Sequence, residues 1–277
     1  MSSVFRSTGF KPVPYCATRT PRHGLKTRAT GKTNHLDTTL ATDATINSMK
    51  LSELFHSIQG EGKLVGVPSV FVRASGCNLR CVWCDTPYSS WSPEGEDVPV
   101  DEIVRRAGEF GARHVVVTGG EPMIMPDIIE LCDALHRNEH HITIETAATM
   151  FHPLKLDLAS LSPKLSNSTP YDREAGRFVA MHERQRLNIE VIQKFISTSP
   201  DFQLKFVVSS DRDLDEIQEI LEQLKSIRPS DVLLMPEGTD QATLDSRAGW
   251  IAEVCKRTGF RFCPRLHVAL YGNTRGT

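Results

Sequence analysis

Ser69-Val70-Phe71-Val72-Arg73-Ala74-Ser75-Gly76-Cys77-Asn78-Leu79-Arg80-Cys81-Val82-Trp83-Cys84 carries two signals in succession. Residues 69–73 are a short β-branched and aromatic run, and Gly76 follows as at the end of a buried strand. Three thiols then crowd into eight residues. Downstream, strand-like and helix-like segments alternate. Val100 to Phe110 places Ile103, Val104 and Ala107 on one helical face and stops at Gly111, and His114 to Val117 is a strand running into Gly119-Gly120. Asp127 to His136 reads as a helix, Ile142 to Ile144 as a strand and Leu154 to Leu158 as the next. Ile189 to Phe195, Asp211 to Leu224 and Ala248 to Thr258 suit helices, while Leu204 to Val208 and Val232 to Met235 suit strands. This alternation predicts an α/β fold of βαβ units on a parallel sheet. About six units fit into residues 49–277, too few for a closed eight-fold barrel, which leaves an incomplete barrel or a doubly wound sheet.

The chain has 277 residues, with 32 Lys and Arg against 34 Asp and Glu. That balance argues against a polyanion-binding surface, so no nucleic-acid partner is expected. No apolar run reaches the ~18–20 residues of a membrane-spanning helix. Seven cysteines, three of them crowded together, do not make the evenly stapled scaffold of a secreted domain, so a reducing, cytoplasmic setting is expected. The totals hide a break near Met49. Residues 1–48 carry seven basic and two acidic side chains, a net of +5 that leaves −7 for residues 49–277. The same stretch holds fourteen Ser and Thr and no periodic apolar face, and is expected to be a disordered tail. Its Arg-rich, acid-poor composition also resembles a transit segment, and Met49 leading straight into ordered-looking sequence makes a misassigned start the other reading. Residues 49–277 are expected to form one domain.

Cys77, Cys81 and Cys84 stand at Cys-x3-Cys-x2-Cys spacing. Thiolates bind soft metals, and a cubane [4Fe–4S] cluster normally takes four of them. The next cysteine, Cys132, falls in a predicted core helix, so a cube here keeps one iron free to chelate a small molecule. Reductive cleavage of S-adenosylmethionine is chemistry that needs such an iron. The alternative is zinc completed by a distant histidine such as His56, although zinc sites usually pair two Cys-x2-Cys knuckles and one is present.

The cysteine motif, with Trp83 before its last thiol, resembles the signature of the radical S-adenosylmethionine (SAM) superfamily. Thr118-Gly119-Gly120-Glu121-Pro122, about 35 residues on at a strand end, resembles that superfamily's second motif. Its paired glycines are expected to let backbone approach a ligand. Further stretches narrow the likeness: Phe55-His56-Ser57-Ile58-Gln59-Gly60-Glu61-Gly62 and Gly66-Val67-Pro68-Ser69 before the cysteines, Asp85-Thr86-Pro87-Tyr88 after them, Ser162-Pro163-Lys164, and Leu266-His267 with Tyr271-Gly272-Asn273. Together they are similar to the 7-carboxy-7-deazaguanine synthase family over residues 49 to 277.

The resemblance implies an incomplete (β/α) barrel of the radical SAM type, usually a homodimer, acting on 6-carboxy-5,6,7,8-tetrahydropterin. It implies a [4Fe–4S] cluster on Cys77, Cys81 and Cys84, S-adenosylmethionine, Mg2+, and an electron donor such as flavodoxin or ferredoxin. The adenosyl radical is then the reactive group, and no side chain is assigned a catalytic role. Ile58, Gln59 and Gly60 are expected to line the pterin, Arg73 to hold its carboxylate, Glu61 to accept from its amino edge, and Thr118 to touch it. Thr86 is expected to offer its hydroxyl to Mg2+. Trp83, Cys84, Asp85, Gly120, Ser162, Pro163 and Lys164 are expected at S-adenosylmethionine and Glu145 at its ribose, although Ala147-Ala148 departs from the usual pair there. The C-terminal residues, ending at Thr277, are expected near the site. A glycyl-radical activase shares the cysteine spacing but acts on a protein, and a non-catalytic zinc-binding module is the rival from another class.

Overall fold

The computed structural model describes residues 48–277, and the reading of residues 1–47 lies outside the described residues. The strands are β1 (Ser48–Ile58), β2 (Pro68–Ala74), β3 (Glu96–Pro99), β4 (His114–Gly119), β5 (His141–Thr146), β6 (Leu158–Leu161), β7 (Phe202–Val208), β8 (Val232–Pro236) and β9 (Arg261–Phe262). They form one sheet in the order β3-β1-β2-β4-β5-β6-β7-β8-β9, with no pairing between β3 and β9 among the described residues. From β2 to β9 every pairing is parallel. The sheet is an open, incomplete (β/α) barrel.

One edge corrects the all-parallel expectation, because β1 runs antiparallel to both β2 and β3. A short turn at Gly62–Leu64 joins β1 to β2, too short for the crossover that a parallel pair requires. The strand expected at Leu154 to Leu158 is also displaced, since β6 spans Leu158–Leu161 and all four of its residues are buried. Alternating Leu154, Leu156 and Leu158 mimic a half-buried strand. Asp157, however, accepts from the Ile142 N–H through Oδ2 (2.8 Å), so a side chain takes the place of a ladder carbonyl there.

The helices are α1 (Pro87–Ser90), α2 (Val100–Glu109), α3 (Ile128–Arg137), α4 (Val179–Gln185), α5 (Ile189–Thr198), α6 (Arg212–Glu222), α7 (Gln241–Thr258) and α8 (Leu266–Tyr271). Five of them bury an apolar stripe against one face of the sheet, through residues such as Ile103, Leu131, Ile192, Ile217 and Ile251. That face presents Val70, Val72, Val115, Val117, Leu204 and Phe206. Because side chains alternate along a strand, the intervening positions point into the barrel. There Arg73, Thr118, Glu145, Lys205 and Met235 line a cavity. The alternation therefore separates scaffold from site residue by residue.

His114 is a polar bolt through the core. Its Nδ1 lies 2.7 Å from Ser69 Oγ and its Nε2 2.8 Å from Thr143 Oγ1, so it links β2, β4 and β5. Burial, with a smaller push from His141, lowers its pKa to about 4. The unfolded chain takes up this proton below about pH 6.5 and the folded chain only below about 4. Stability from His114 is therefore complete above pH 6.5 and is lost as pH falls toward 4, by about 3 kcal/mol. Urea unfolding of wild type and His114→Gln between pH 7 and 4 should show the variant less stable at neutrality but with a flatter pH slope. Parallel slopes would refute the assignment.

Candidate active site

The cysteine loop follows β2 and is held from outside by residues 166–186. The Val82 N–H donates to Ser168 O (2.8 Å), and the Arg80 N–H to His182 Nδ1 (3.1 Å). Since that nitrogen accepts, buried His182 carries its proton on Nε2, which faces Ser168 Oγ at 2.9 Å. Trp91 Nε1 donates to Cys81 O (3.0 Å), and Trp83 Nε1 to Asn167 O (3.1 Å). So anchored, the loop brings Cys77, Cys81 and Cys84 to the wall of one cavity of about 620 Å³. Burial pushes the Cys77 and Cys81 thiols up to about 12, so loading a metal there must displace protons. Three thiols converging on one cavity fit the three-cysteine cluster.

The other cysteines of the described residues are structural. Cys132 on α3 and Cys255 on α7 are buried in the core, and Cys263 accepts the Gly62 N–H (3.1 Å) away from the cavity lining. His56 is exposed and stacks on Phe110 with ring centroids 5.8 Å apart, so it does not complete a zinc site with the cysteine loop.

The Gly119-Gly120 pair lines the cavity and is also demanded by packing. A Cβ on Gly119 would lie 2.3 Å from Ala74 O, and one on Gly120 2.1 Å from Gly76 O. The glycines let the end of β4 press against the backbone entering the cysteine loop, where the Gly120 N–H donates to Ala74 O (3.1 Å). Both glycines reach the cavity as a consequence. Glu121 of the same motif is fully buried and ties β4 to β5, accepting from Thr146 Oγ1 (2.7 Å) and from the Met123 and Ala147 N–H groups (3.0 and 2.8 Å).

Every residue expected at the site lines this cavity except Pro163. Pro163 is buried between Ser162 and Lys164, and Lys164 Nζ folds back onto Ser162 O and Oγ (both 2.8 Å). Arg73 donates from Nε to Glu53 Oε2 (2.7 Å), which leaves both Nη groups without a bond among the described residues. Glu53 is held in turn by the Tyr88 hydroxyl (2.9 Å) and Arg275 Nε (3.0 Å), so residues 273–277 close one side of the cavity.

At the base lies an ion network that sequence reasoning missed. Lys205 Nζ bonds Glu61 Oε2 and approaches Glu145 Oε2 at 3.7 Å. Arg265 Nε donates to Glu61 Oε1 (3.1 Å), and its Nη2 bonds Asp85. Burial alone would raise the Glu61 pKa, but Lys205 and Arg265 outweigh it and hold the carboxylate far below its usual range. Gln59 Nε2 donates to Glu145 Oε1 (3.2 Å), completing the link from β1 to β5. His267 on α8 also faces this base. A lysine inside the apolar run Leu204 to Val208 was a legible signal. Arg265, in an irregular stretch before α8, offered none.

An open (β/α) barrel with three convergent cysteines in the loop after a strand defines a radical SAM enzyme, and the Radical SAM superfamily model matches residues 71–162. Such an enzyme uses a [4Fe–4S] cluster and S-adenosylmethionine. The 7-carboxy-7-deazaguanine synthase of Rhodopirellula baltica is 43% identical over 234 residues, covering 84% of this chain and 91% of that protein. The synthase of Halobacterium salinarum is 42% identical over 240 residues, covering 83% and 93%. The crystal structure of QueE from Escherichia coli superposes with a TM-score of 0.59 at 25% identity, covering 79% of this chain and 95% of that one. The chain belongs to the 7-carboxy-7-deazaguanine synthase family.

Proposed function

We propose that the cavity converts 6-carboxy-5,6,7,8-tetrahydropterin to 7-carboxy-7-deazaguanine with release of ammonia, a step of queuosine or deazapurine biosynthesis. The observation that carries this reading is convergence: residues 58–61, 73, 118–120, 145, 162, 164, 265, 267 and 273–277, with Cys77, Cys81 and 83–86 of the cysteine loop, all line one cavity. Bound to Cys77, Cys81 and Cys84, the cluster supplies reductive cleavage of S-adenosylmethionine to an adenosyl radical. The protein's own share is binding and orientation. The free Nη fork of Arg73 suits the substrate carboxylate. At the base, Lys205 and Arg265 keep Glu61 ionised, and its carboxylate suits the pterin amino and ring N–H edge. Ile58, Gln59, Gly60 and Thr118 complete the substrate wall. Trp83 to Asp85, Gly120, Ser162 and Lys164 form the S-adenosylmethionine side with Glu145.

Anaerobic incubation with the carboxytetrahydropterin, reductant and S-adenosylmethionine should yield the deazaguanine. Cleavage of S-adenosylmethionine without product, from fully iron-loaded protein, would reject this substrate. The same reading includes a homodimer, checked by sedimentation equilibrium, and a one-electron donor of flavodoxin or ferredoxin type.

Mg2+ belongs to the proposal through Thr86, whose Oγ1 accepts from Ser89 Oγ (3.1 Å) and lies 3.9 Å from Cys84 Sγ. A hydroxyl oxygen is the ligand type that this hard cation prefers. Thr86→Val should abolish the stimulation of turnover by magnesium while iron content stays at the wild-type level. Equal stimulation in both proteins would remove Thr86 as a ligand.

A further inference from the structure

Arg265 lies between β9 and α8, outside every motif that marks the family in this sequence, and its side chain is 7% exposed. Its guanidinium spends its nitrogens in three directions: Nε on Glu61, Nη1 on Gly238 O and Nη2 on Asp85. The two carboxylates belong to different working parts. Glu61 ends the segment assigned to the substrate, whereas Asp85 stands between the cluster ligand Cys84 and Thr86. Glu61 has a second cation in Lys205, whereas the side-chain hydrogen bond and ion pair of Asp85 among the described residues go to Arg265, with Arg73 acting on it only through its charge. We propose that Arg265 is a positioning residue that locks the substrate-reading loop to the cluster loop, so that cleavage of S-adenosylmethionine is coupled to a correctly seated substrate.

The chemistry requires arginine. A planar fork fixes two carboxylates at a set angle, and its charge survives burial because both neighbours are anions. An ammonium is a point charge that reaches one of them. Without the tie, Asp85 is free to turn outward, and the backbone from Cys84 to Thr86 loses its registration to Glu61. Misplacement of this kind lowers productive transfer. The inference rests on the proposed reaction, and product formation by wild type is the control whose failure would sink that reaction rather than this assignment.

The test compares Arg265→Lys, Asp85→Asn and the double variant as iron-loaded holoenzymes. Three readouts are taken: iron content, the equilibrium Kd for the carboxytetrahydropterin without reductant, and 5′-deoxyadenosine released per product formed. Arg265→Lys should keep its iron, weaken Kd roughly tenfold through Glu61, and raise deoxyadenosine per product by roughly threefold or more. Asp85→Asn should raise that ratio with little change in Kd, because Glu61 keeps both cations. The double variant should couple no worse than Arg265→Lys, as members of one link do. If Arg265→Lys does not fold, Asp85→Asn alone decides through the same ratio. A wild-type ratio in Asp85→Asn, or additive losses in the double variant, would overturn the coupling role.

Discussion

Cys77→Ala, Cys81→Ala and Cys84→Ala should each lose the brown iron–sulfur chromophore and all cleavage of S-adenosylmethionine. The loop supplies three thiols to one cavity, and the remaining cysteines of the described residues stand outside its lining. No other thiol of the described residues can replace a lost ligand, so each deletion should abolish activity rather than reduce it. The loop itself should survive, because its bonds from Val82, Arg80 and Trp91 do not use the sulfurs, whose own contacts are limited to the Leu79 N–H at Cys77 (3.3 Å) and Ser90 Oγ (3.1 Å) and Thr86 Oγ1 (3.9 Å) at Cys84. Circular dichroism and urea midpoints close to wild type would show that iron, and not the fold, is what was lost. Cys132→Ala and Cys255→Ala are the controls. Both remove a small buried group, should cost about 1 kcal/mol of stability, and should keep full iron. Iron loss in Cys132→Ala, or retention in Cys81→Ala, would refute the three-cysteine site.

The same contrast explains what could be read from the chain. The cysteine spacing and the Gly-Gly-Glu-Pro loop are local patterns that lie in sequence order, so they were visible without a fold. The parallel run from β2 to β8 was visible because buried strands are short apolar runs set between helices of amphipathic period. β1 was legible only as a motif, since its antiparallel pairing with β2 depends on a turn at 62–64 that carries no alternation. Glu121 illustrates a different limit: nothing in the motif shows that its carboxylate braces β4 to β5. The ion network at the base was least legible. Glu61, Lys205 and Arg265 come from three distant segments; Lys205 stands out only by interrupting an apolar run, and Arg265 alone reads as an ordinary charged residue. Only closure of the sheet edge by β9 and α8 brings Arg265 against Glu61 and Asp85.

Arg73→Ala should weaken binding of the carboxytetrahydropterin by roughly one to two orders of magnitude, the loss of a charge-assisted contact worth about 1.5–3 kcal/mol. The geometry gives this expectation more content than charge alone. Glu53 takes the Nε proton of Arg73 at 2.7 Å, and the ring of Phe55 lies beneath the guanidinium at 5.6 Å. The fork is thus oriented before any ligand arrives, with its two Nη groups presented to the cavity. Deleting it does not strand Glu53, which keeps the Tyr88 hydroxyl and Arg275, so the fold and the iron spectrum should be unchanged. Arg73→Lys should lose less affinity than Arg73→Ala, because it keeps charge but not the planar pair of donors. A ligand lacking the carboxylate separates this contact from general packing. Wild type should bind the decarboxylated pterin as weakly as Arg73→Ala binds the full substrate, and Arg73→Ala should hardly distinguish the two. If Arg73→Ala still prefers the carboxylated pterin by the wild-type ratio, the carboxylate is held by another residue, and Arg73 serves only to pair with Glu53.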